Sequence, residues 1–172
     1  MSKSIPNERS WIGFLESPDD WSAVAAYTIG DKSTLIPTAA EVASAVDLTK
    51  LIVGLNAGVT GQAVPTPAFD SRFVRSVGGT SEGAFQLDAY RDSNTGEDDA
   101  WNALARATFG FFFISRFGGS GTGRLPIADD IIEVWPTEVN SRTMQQMASN
   151  TVQMMTVVCA VHEEPNEDAT VS

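Results

Sequence analysis

Short apolar segments, broken by glycine and proline, recur along most of this chain, and no long amphipathic helix separates them. Residues 85–90 read FQLDAY, and this alternation of apolar and polar side chains predicts a half-buried strand. Residues 108–117 read TFGFFFISRF and predict a strongly aromatic strand. Because a parallel sheet needs long helices between its strands, the pattern favours a mainly β fold, a β-sandwich or barrel with one or two short flanking helices.

Capping residues mark the two helices. Thr38 with Glu41, and Thr95 with Asp98, are spaced as capping boxes, so short helices are expected after residue 38 and over 97–106. Further strands are predicted over residues 21–29, 48–55, 69–77, 131–139 and 151–161. Pro136 has no N–H to donate to a ladder, which predicts that its strand is bulged or at an edge.

The predicted organisation is one domain with two appendages. Residues 1–20 are interpreted as an N-terminal arm that docks by its aromatic side chains rather than as a core element. Residues 21–161 form the β domain, and within it residues 56–70, with two glycines and two prolines before residue 69, predict a long functional loop. Residues 162–172 are predicted to form an acidic C-terminal tail.

Charge is unevenly distributed along the 172 residues. The net charge of −11 divides into −4 over residues 1–71, zero over 72–124 and −7 over 125–172. A duplex-binding protein needs a Lys/Arg-rich face, and an anionic membrane surface attracts one too, so the acidic balance argues against both.

Cysteine and histidine each occur once, which excludes an intrachain disulfide and a Cys-based zinc site. Cys159 lies in an apolar segment and is expected to be a small core residue. His162 is expected at the surface. The first 20 residues have no long apolar run of the secretory type, and nowhere do 18 consecutive apolar residues occur. We therefore expect no cofactor, no metal site and no membrane insertion.

Three motifs resemble sites of chemistry. Residues 79–83 (GTSEG) match the G-x-S-x-G nucleophile elbow with Ser81 as nucleophile, but the following residues alternate as a strand rather than a helix, so a hairpin turn is favoured. The glycine-rich segment 118–123 lacks both the G-K-[ST] ending and a following helix that phosphate binding requires. Residues 92–96 open like a calcium loop but fail at the later ligand positions.

Several ordered segments together carry a resemblance that covers nearly the whole chain. They are residues 18–21 (PDDW), 37–49, 70–73 (DSRF), 87–92 (LDAYRD), 110–119 (GFFFISRFGG), 134–136 (VWP) and 159–165. In order and spacing they resemble the major tail tube protein of long, non-contractile-tailed (siphovirus-type) bacteriophages, in the variant common among phages of actinobacteria.

This resemblance implies a structural, non-enzymatic virion protein, assembled in the host cytoplasm. Six copies would form a ring, and stacked rings would form the tail tube around a tape measure protein, with tail terminator and distal tail proteins as further partners. DNA would pass through an acidic lumen without specific binding, because like charges repel it.

Within that expectation, the predicted subunit and ring contacts are arginine-rich and aromatic. They are Trp11, Phe14, Phe69, Asp70, Arg72, Arg75, Arg116 and Arg124. Residues 56–70, the N-terminal arm and residues 162–172 are expected to bridge stacked rings. Asp88, Glu133 and Glu138 are predicted to line the lumen, although residues 133 and 138 fall on opposite faces unless Pro136 marks a bulge.

Two alternatives remain open from the sequence. One is another phage ring protein, such as a tail terminator or a head–tail joining protein. The other is a monomeric β-sandwich binding module or hydrolase that uses the 118–124 loop or Ser81.

Overall fold

One antiparallel sheet of eight strands dominates the computed structural model, which describes residues 10–17, 34–66, 75–91, 98–121, 124–146 and 152–172. The elements in chain order are β1 (Trp11–Ser17), α1 (Ala39–Ser44), β2 (Val46–Asp47), β3 (Ile52–Thr66), β4 (Arg75–Tyr90), α2 (Asp99–Ala103), β5 (Phe109–Ser115), β6 (Ile131–Met144), β7 (Met154–Val161) and β8 (Asn166–Thr170). The prediction of a mainly β fold with one or two short helices is confirmed.

The strand order is β2-β1-β5-β6-β7-β4-β3, and β8 pairs beside β6. β6 belongs to two layers, because its residues up to Glu138 pair with β5 and its residues from Thr137 pair with β7. The register shift between Val139 and Ser141 lies where β6 passes from one layer to the other. We call the β2-β1-β5-β6-β8 part sheet I and the β6-β7-β4-β3 part sheet II.

The main core lies between the two sheets. Phe112 of sheet I stacks on Phe85 of sheet II with ring centroids 4.5 Å apart, and Trp135 packs beside Phe85 at 5.6 Å. Val157 and Cys159 of β7 are buried in the same cluster. Since successive side chains of a strand alternate in direction, the residues between them face the other side of each sheet.

A second core lies on the other side of sheet I. It buries Trp11, Phe111 and Phe113 against Val42 of α1 and Ala169 of β8. Sheet I is therefore covered on both faces, which explains why residues 111–114 (FFFI) are apolar without alternation.

The N-terminal arm prediction is wrong for residues 11–17. They form β1, which pairs with β5 from Trp11↔Ser115 to Ser17↔Phe109, and Trp11 and Phe14 are both only 1% exposed. The short apolar cluster of this segment lacks a clear period because it contributes to both cores.

The C-terminal tail prediction is also corrected. Residues 166–170 form β8, and Ala169 and Val171 are buried. Backbone hydrogen bonds join Val171 to Asp130 and Ser172 to Pro37. The acidic residues around them remain on the surface, whereas the apolar ones close the second core.

β6 is an interior strand, so the edge alternative for Pro136 is wrong; the strand does carry register shifts, at 132/134 against β8 and at 139/141 against β7, but none lies at Pro136 itself. The β5–β6 register is continuous across Pro136. On the opposite side, β8 pairs with Ile131–Val134 and β7 begins to pair at Thr137, so Pro136 lies in the gap between two partners. The carbonyl of Pro136 accepts from His162 N–H on that side. In an antiparallel strand the N–H and C=O of one residue point the same way, so the missing N–H falls in this gap.

The predicted loop over 56–70 and the predicted turn over 79–83 are replaced by one long hairpin. β3 and β4 pair from Ile52↔Ala89 to Thr66↔Arg75, with register shifts at 52/54 and 61/63. Both segments are rich in small residues, which hides their strand character from a hydrophobic pattern. Residues 67–70, the predicted strand 21–29, residues 69–74 of the predicted strand 69–77, and the calcium-like segment 92–96 lie outside the described residues; residues 75–77 belong to β4.

α1 follows its capping prediction. Thr38 Oγ1 accepts from Glu41 N–H, the Glu41 carboxylate accepts from Thr38 N–H at 2.7 Å, and Val42 is buried. α2 is shorter than expected, because it spans five residues and its N-cap Asp98 makes no side-chain capping bond. The predicted second capping box is therefore not formed by Asp98, and Thr95 is outside the described residues.

We predict that Gly110→Ala lowers the free energy of unfolding by about 1–3 kcal/mol, the range typical of overpacking. An added Cβ would lie 2.5 Å from the Leu15 carbonyl oxygen and 2.5 Å from the Phe14 ring. Gly58→Ala is the matched control, since nothing lies within 4 Å of its Cβ position. Urea titration of the unassembled subunit measures both; equal effects would contradict the described β1–β5 packing.

Candidate assembly surfaces

No described element covers the outer face of sheet II, and we call it the open face. Its residues alternate with the core residues of β3, β4, β6 and β7, as the register pairs show. They are Gly54, Asn56, Gly58, Thr60, Glu82, Ala84, Gln86, Asp88, Tyr90, Met154, Thr156, Val158, Ala160, Glu138, Ser141 and Thr143. Glu82, Asp88 and Glu138 carry the charge of this set, which contains no lysine or arginine.

Polar contacts organise the open face around Asp88. Its Oδ1 accepts from Thr156 Oγ1 at 2.5 Å, and the amide of Gln145 donates to the same Thr156 hydroxyl at 3.2 Å. Farther along the face, Glu138 Oε2 lies 3.0 Å from His162 Nε2. These contacts tie the carboxylates of Asp88 and Glu138 to neighbouring side chains, and the face as a whole is acidic.

Sheet II has two unpaired edges. β3 is the last strand in the order and pairs only with β4. Tyr90 N–H donates to the Leu51 carbonyl, so by alternation along β4 the N–H groups of Leu87, Phe85 and Gly83 point away from β3. Their partners beyond the register shift at 52/54 (Leu55, Ala57 and Val59) therefore direct their own N–H groups away from β4. At the other edge, residues 140–144 of β6 pair with β7, but the β5 register ends at Glu138. Each edge therefore presents backbone donors and acceptors without a strand partner among the described residues.

α2 is fixed to the core-facing side of sheet II by two arginines. The guanidinium carbons of Arg91 and Arg142 lie 3.7 Å and 3.6 Å from the Trp101 ring centroid. Arg142 Nη1 also donates to the Trp101 carbonyl at 2.7 Å, and Arg91 Nε donates to Asp98 Oδ2 at 2.8 Å. Burial, followed by the like charge of Arg91, lowers the pKa of Arg142.

The structure separates the predicted lumen residues. Asp88 and Glu138 share the open face, because their partners Thr156 and Ala160 have the same parity on β7. Glu133 is on the opposite side of β6, as the uninterrupted β5–β6 register requires. Its carboxylate accepts from Trp135 Nε1 at 3.1 Å and from Arg116 Nη2 at 2.9 Å.

The residues predicted to contact other subunits fall into three groups: buried, exposed and outside the described residues. Trp11 and Phe14 are core residues of their own subunit, so in this fold they do not reach another subunit. Arg116 pairs with Glu133 but keeps a half-exposed side chain, and Arg124 is exposed with a positive φ of 74°. Phe69, Asp70 and Arg72 lie outside the described residues, as does the side chain of Arg75 at the start of β4.

Two of the motifs that resembled chemistry fall at least partly among the described residues. Ser81 lies inside β4 opposite Gly61, not on a strand–turn–helix elbow. In the described part of the glycine-rich segment, Ser120 N–H donates to Asp130, which also accepts from Ile127 N–H. Among the described residues, no group of three His, Cys, Asp or Glu side chains is placed to hold a metal, and no helix is long and apolar enough to span a membrane.

Sequence reasoning missed the β3 edge and Phe117. The edge was hidden by the glycines and prolines of residues 54–65. Phe117 is 81% exposed, and its place at the end of an otherwise buried aromatic run made it resemble the core.

Comparison with known proteins agrees with an assembling β protein. The family model described as phage tail tube protein matches residues 20–172. A chain from the virion of a native gene transfer agent particle has a TM-score of 0.51 and 10% identity, over 74% of this chain and 91% of that one. A chain from the 6-fold symmetrised baseplate of the anti-feeding prophage has the same TM-score and identity, over 95% of each chain. No curated protein sequence gives a significant match.

The fold and its unpaired edges define a structural subunit that assembles with copies of itself. The chain belongs to the phage tail tube protein family, as the match over most of its length shows. It is a structural component of the virion tail.

Cys159 is predicted to be unreactive in the native subunit. Burial raises the pKa of its thiol to about 12, and only the thiolate is nucleophilic. Maleimide labelling at pH 8 should therefore be slow without denaturant and rapid in denaturant. Fast labelling of the native protein would contradict the burial of β7.

Proposed function

We propose that six copies of this chain form a ring by joining the two edges of sheet II. The β3 edge of one subunit would pair with residues 140–144 of the next subunit's β6. Because the two edges differ, the contact is head-to-tail, which closes into a ring when the rotation is suitable. The observation that carries the proposal is that both edges of one exposed sheet are unpaired.

In such a ring, the open face would line the lumen. Sheet I and α2 cover the other side of sheet II, so the open face is left for the interior of a continuous barrel. Asp88 and Glu138, joined by Glu82, would be the lumen carboxylates; Glu133 is not proposed. Duplex DNA would pass this wall without being held, because the described part of the face has no lysine or arginine to displace its counterions.

The far part of the β3–β4 hairpin would join stacked rings. β7 pairs with β4 only from Ala84 to Tyr90, so residues 75–83 of β4 have no second partner among the described strands. A two-stranded ribbon is only marginally stable alone. Residues 60–66 span about 20 Å at the usual strand rise, which would let the hairpin reach a neighbouring ring. This keeps part of the 56–70 bridging assignment, as a hairpin.

The remaining partners follow from tube assembly and are part of the proposal. The lumen would enclose a tape measure protein, the two tube ends would contact tail terminator and distal tail proteins, and the tail would be long and non-contractile, of the type found in phages of actinobacteria. The subunit would act by assembly alone, without catalysis.

Ala57→Pro should impair ring formation while the subunit still folds. The Ala57 N–H points away from β4, so proline removes a donor for the neighbour and leaves the β3–β4 ladder intact. Sedimentation velocity and negative-stain electron microscopy measure assembly, and circular dichroism measures folding.

Thr170→Pro is the matched control for this edge. Val171 N–H donates to Asp130, so the alternation directs the Thr170 N–H away from β6, at an edge outside sheet II. We expect it to assemble like the unmodified chain. Rings formed equally well by Ala57→Pro would contradict pairing through β3.

A lysine on the open face should slow DNA ejection. Gly58→Lys has open space and would place one cation per subunit on the lumen wall. Phage carrying it should eject DNA more slowly, and added salt should relieve the defect by screening the attraction.

Val46→Lys is the control, because Val46 is an exposed valine of β2 in sheet I and is not part of the open face. Identical ejection kinetics for both variants would contradict the proposal that the open face lines the lumen.

A further inference from the structure

A groove borders the β3 edge on the core-facing side of sheet II, and we call it the seam groove. It has a volume of about 630 Å³. The residues used below are Ile12, Ile52, Leu55, Ile114, Arg116 and Phe117. It lies where the first residues of β3 approach β1 and the end of β5.

Phe117 is the most exposed large apolar side chain of the described chain, at 81%. Val53, which also lines the groove, is 49% exposed. Clustered apolar exposure of this kind marks an interaction surface, and aromatic residues dominate the energetics of such surfaces. The groove is continuous with an edge that the proposed ring uses.

The proposed edge pairing decides which element reaches the groove. When β3 of one subunit pairs with residues 140–144 of the next, the two sheets share one wall, and their core-facing sides lie on the same side of it. The seam groove is on that side next to β3. In the neighbouring subunit, α2 is on that side next to β6, because Arg142 of β6 donates to the carbonyls of Trp101 and Leu104.

Charge also fits this arrangement. Asp99 is exposed in the first turn of α2, and Arg116 is half-exposed at the groove. The Arg116 guanidinium has several N–H donors, so its contact with Glu133 does not exhaust them. An incoming carboxylate could share it.

We propose that α2 of one subunit docks in the seam groove of its neighbour, with Phe117 as the apolar anchor and Asp99 facing Arg116. The inference rests on the proposed ring. Neighbouring subunits would then contact each other in two layers. The first is the backbone pairing of the sheet edges, and the second is a side-chain contact outside the barrel wall.

Cysteine cross-linking tests which element occupies the groove. Val53→Cys and Asp99→Cys subunits are prepared separately, because Val53 is an exposed residue of the groove and its replacement leaves Phe117 in place. The buried Cys159 gives a quiet background. After co-assembly, a short bismaleimide should join the two variants into dimers, and neither variant alone should cross-link. The double variant Val53→Cys/Asp99→Cys should give a ladder that ends at the closed ring.

Association strength gives an independent readout. Phe117→Ser should weaken assembly about tenfold or more, in keeping with a hot-spot aromatic. Its melting temperature should be unchanged, since the side chain is exposed in the subunit. Val46→Ser, at an exposed valine of β2 away from the groove, is the control and should assemble normally.

The outcomes separate the two proposals. Rings that form normally without a 53–99 cross-link, together with normal assembly of Phe117→Ser, would overturn the docking of α2 and leave the ring intact. Failure of the unmodified chain to form any ring would overturn both.

Discussion

Unpaired backbone groups along sheet II are the constraint on which the rest of this structure depends. A strand of 15 residues with a free edge is an aggregation hazard in a monomer. This chain has no short edge strand or covering helix at that position among its described residues. In the proposed ring, the same groups would pair with the neighbouring subunit. β3 has few large side chains to pack against a core, so its stability is expected to come mainly from pairing with neighbouring strands.

The remainder of the fold supports that exposed sheet. The main core joins sheet I to sheet II through Phe85, Phe112 and Trp135, and the second core ties α1 and β8 to the far side of sheet I. One face of sheet II is therefore packed into the main core, and no described element covers its other face. The bend of β6 at residues 139–141 connects the two layers within one strand, and Pro136 is tolerated because it sits where the partner changes from β8 to β7.

The sequence was informative where burial leaves a periodic pattern. The aromatic strand β5, the capping box of α1 and the buried Cys159 could each be predicted from local residues. β1 and β8 could not, because short segments of mixed pattern become strands only through pairing with distant β5 and β6. The β3–β4 hairpin could not be predicted for a related reason: its glycines and prolines indicate a loop unless the partner strand is known. Of the three residues predicted to line the lumen, Asp88 and Glu138 lie on the same face. Glu133 lies on the other side, because β6 is continuous from residue 133 to residue 138 and residues an odd number apart face opposite sides.

An electron cryo-microscopy map of the assembled tube tests the central claim most directly. The account predicts a continuous β-barrel in which the β3 edge of each subunit hydrogen-bonds to residues 140–144 of its neighbour, with Asp88 and Glu138 facing the lumen. A map in which the β3 edge is solvent-exposed, or in which the open face lies on the outside of the tube, would contradict it.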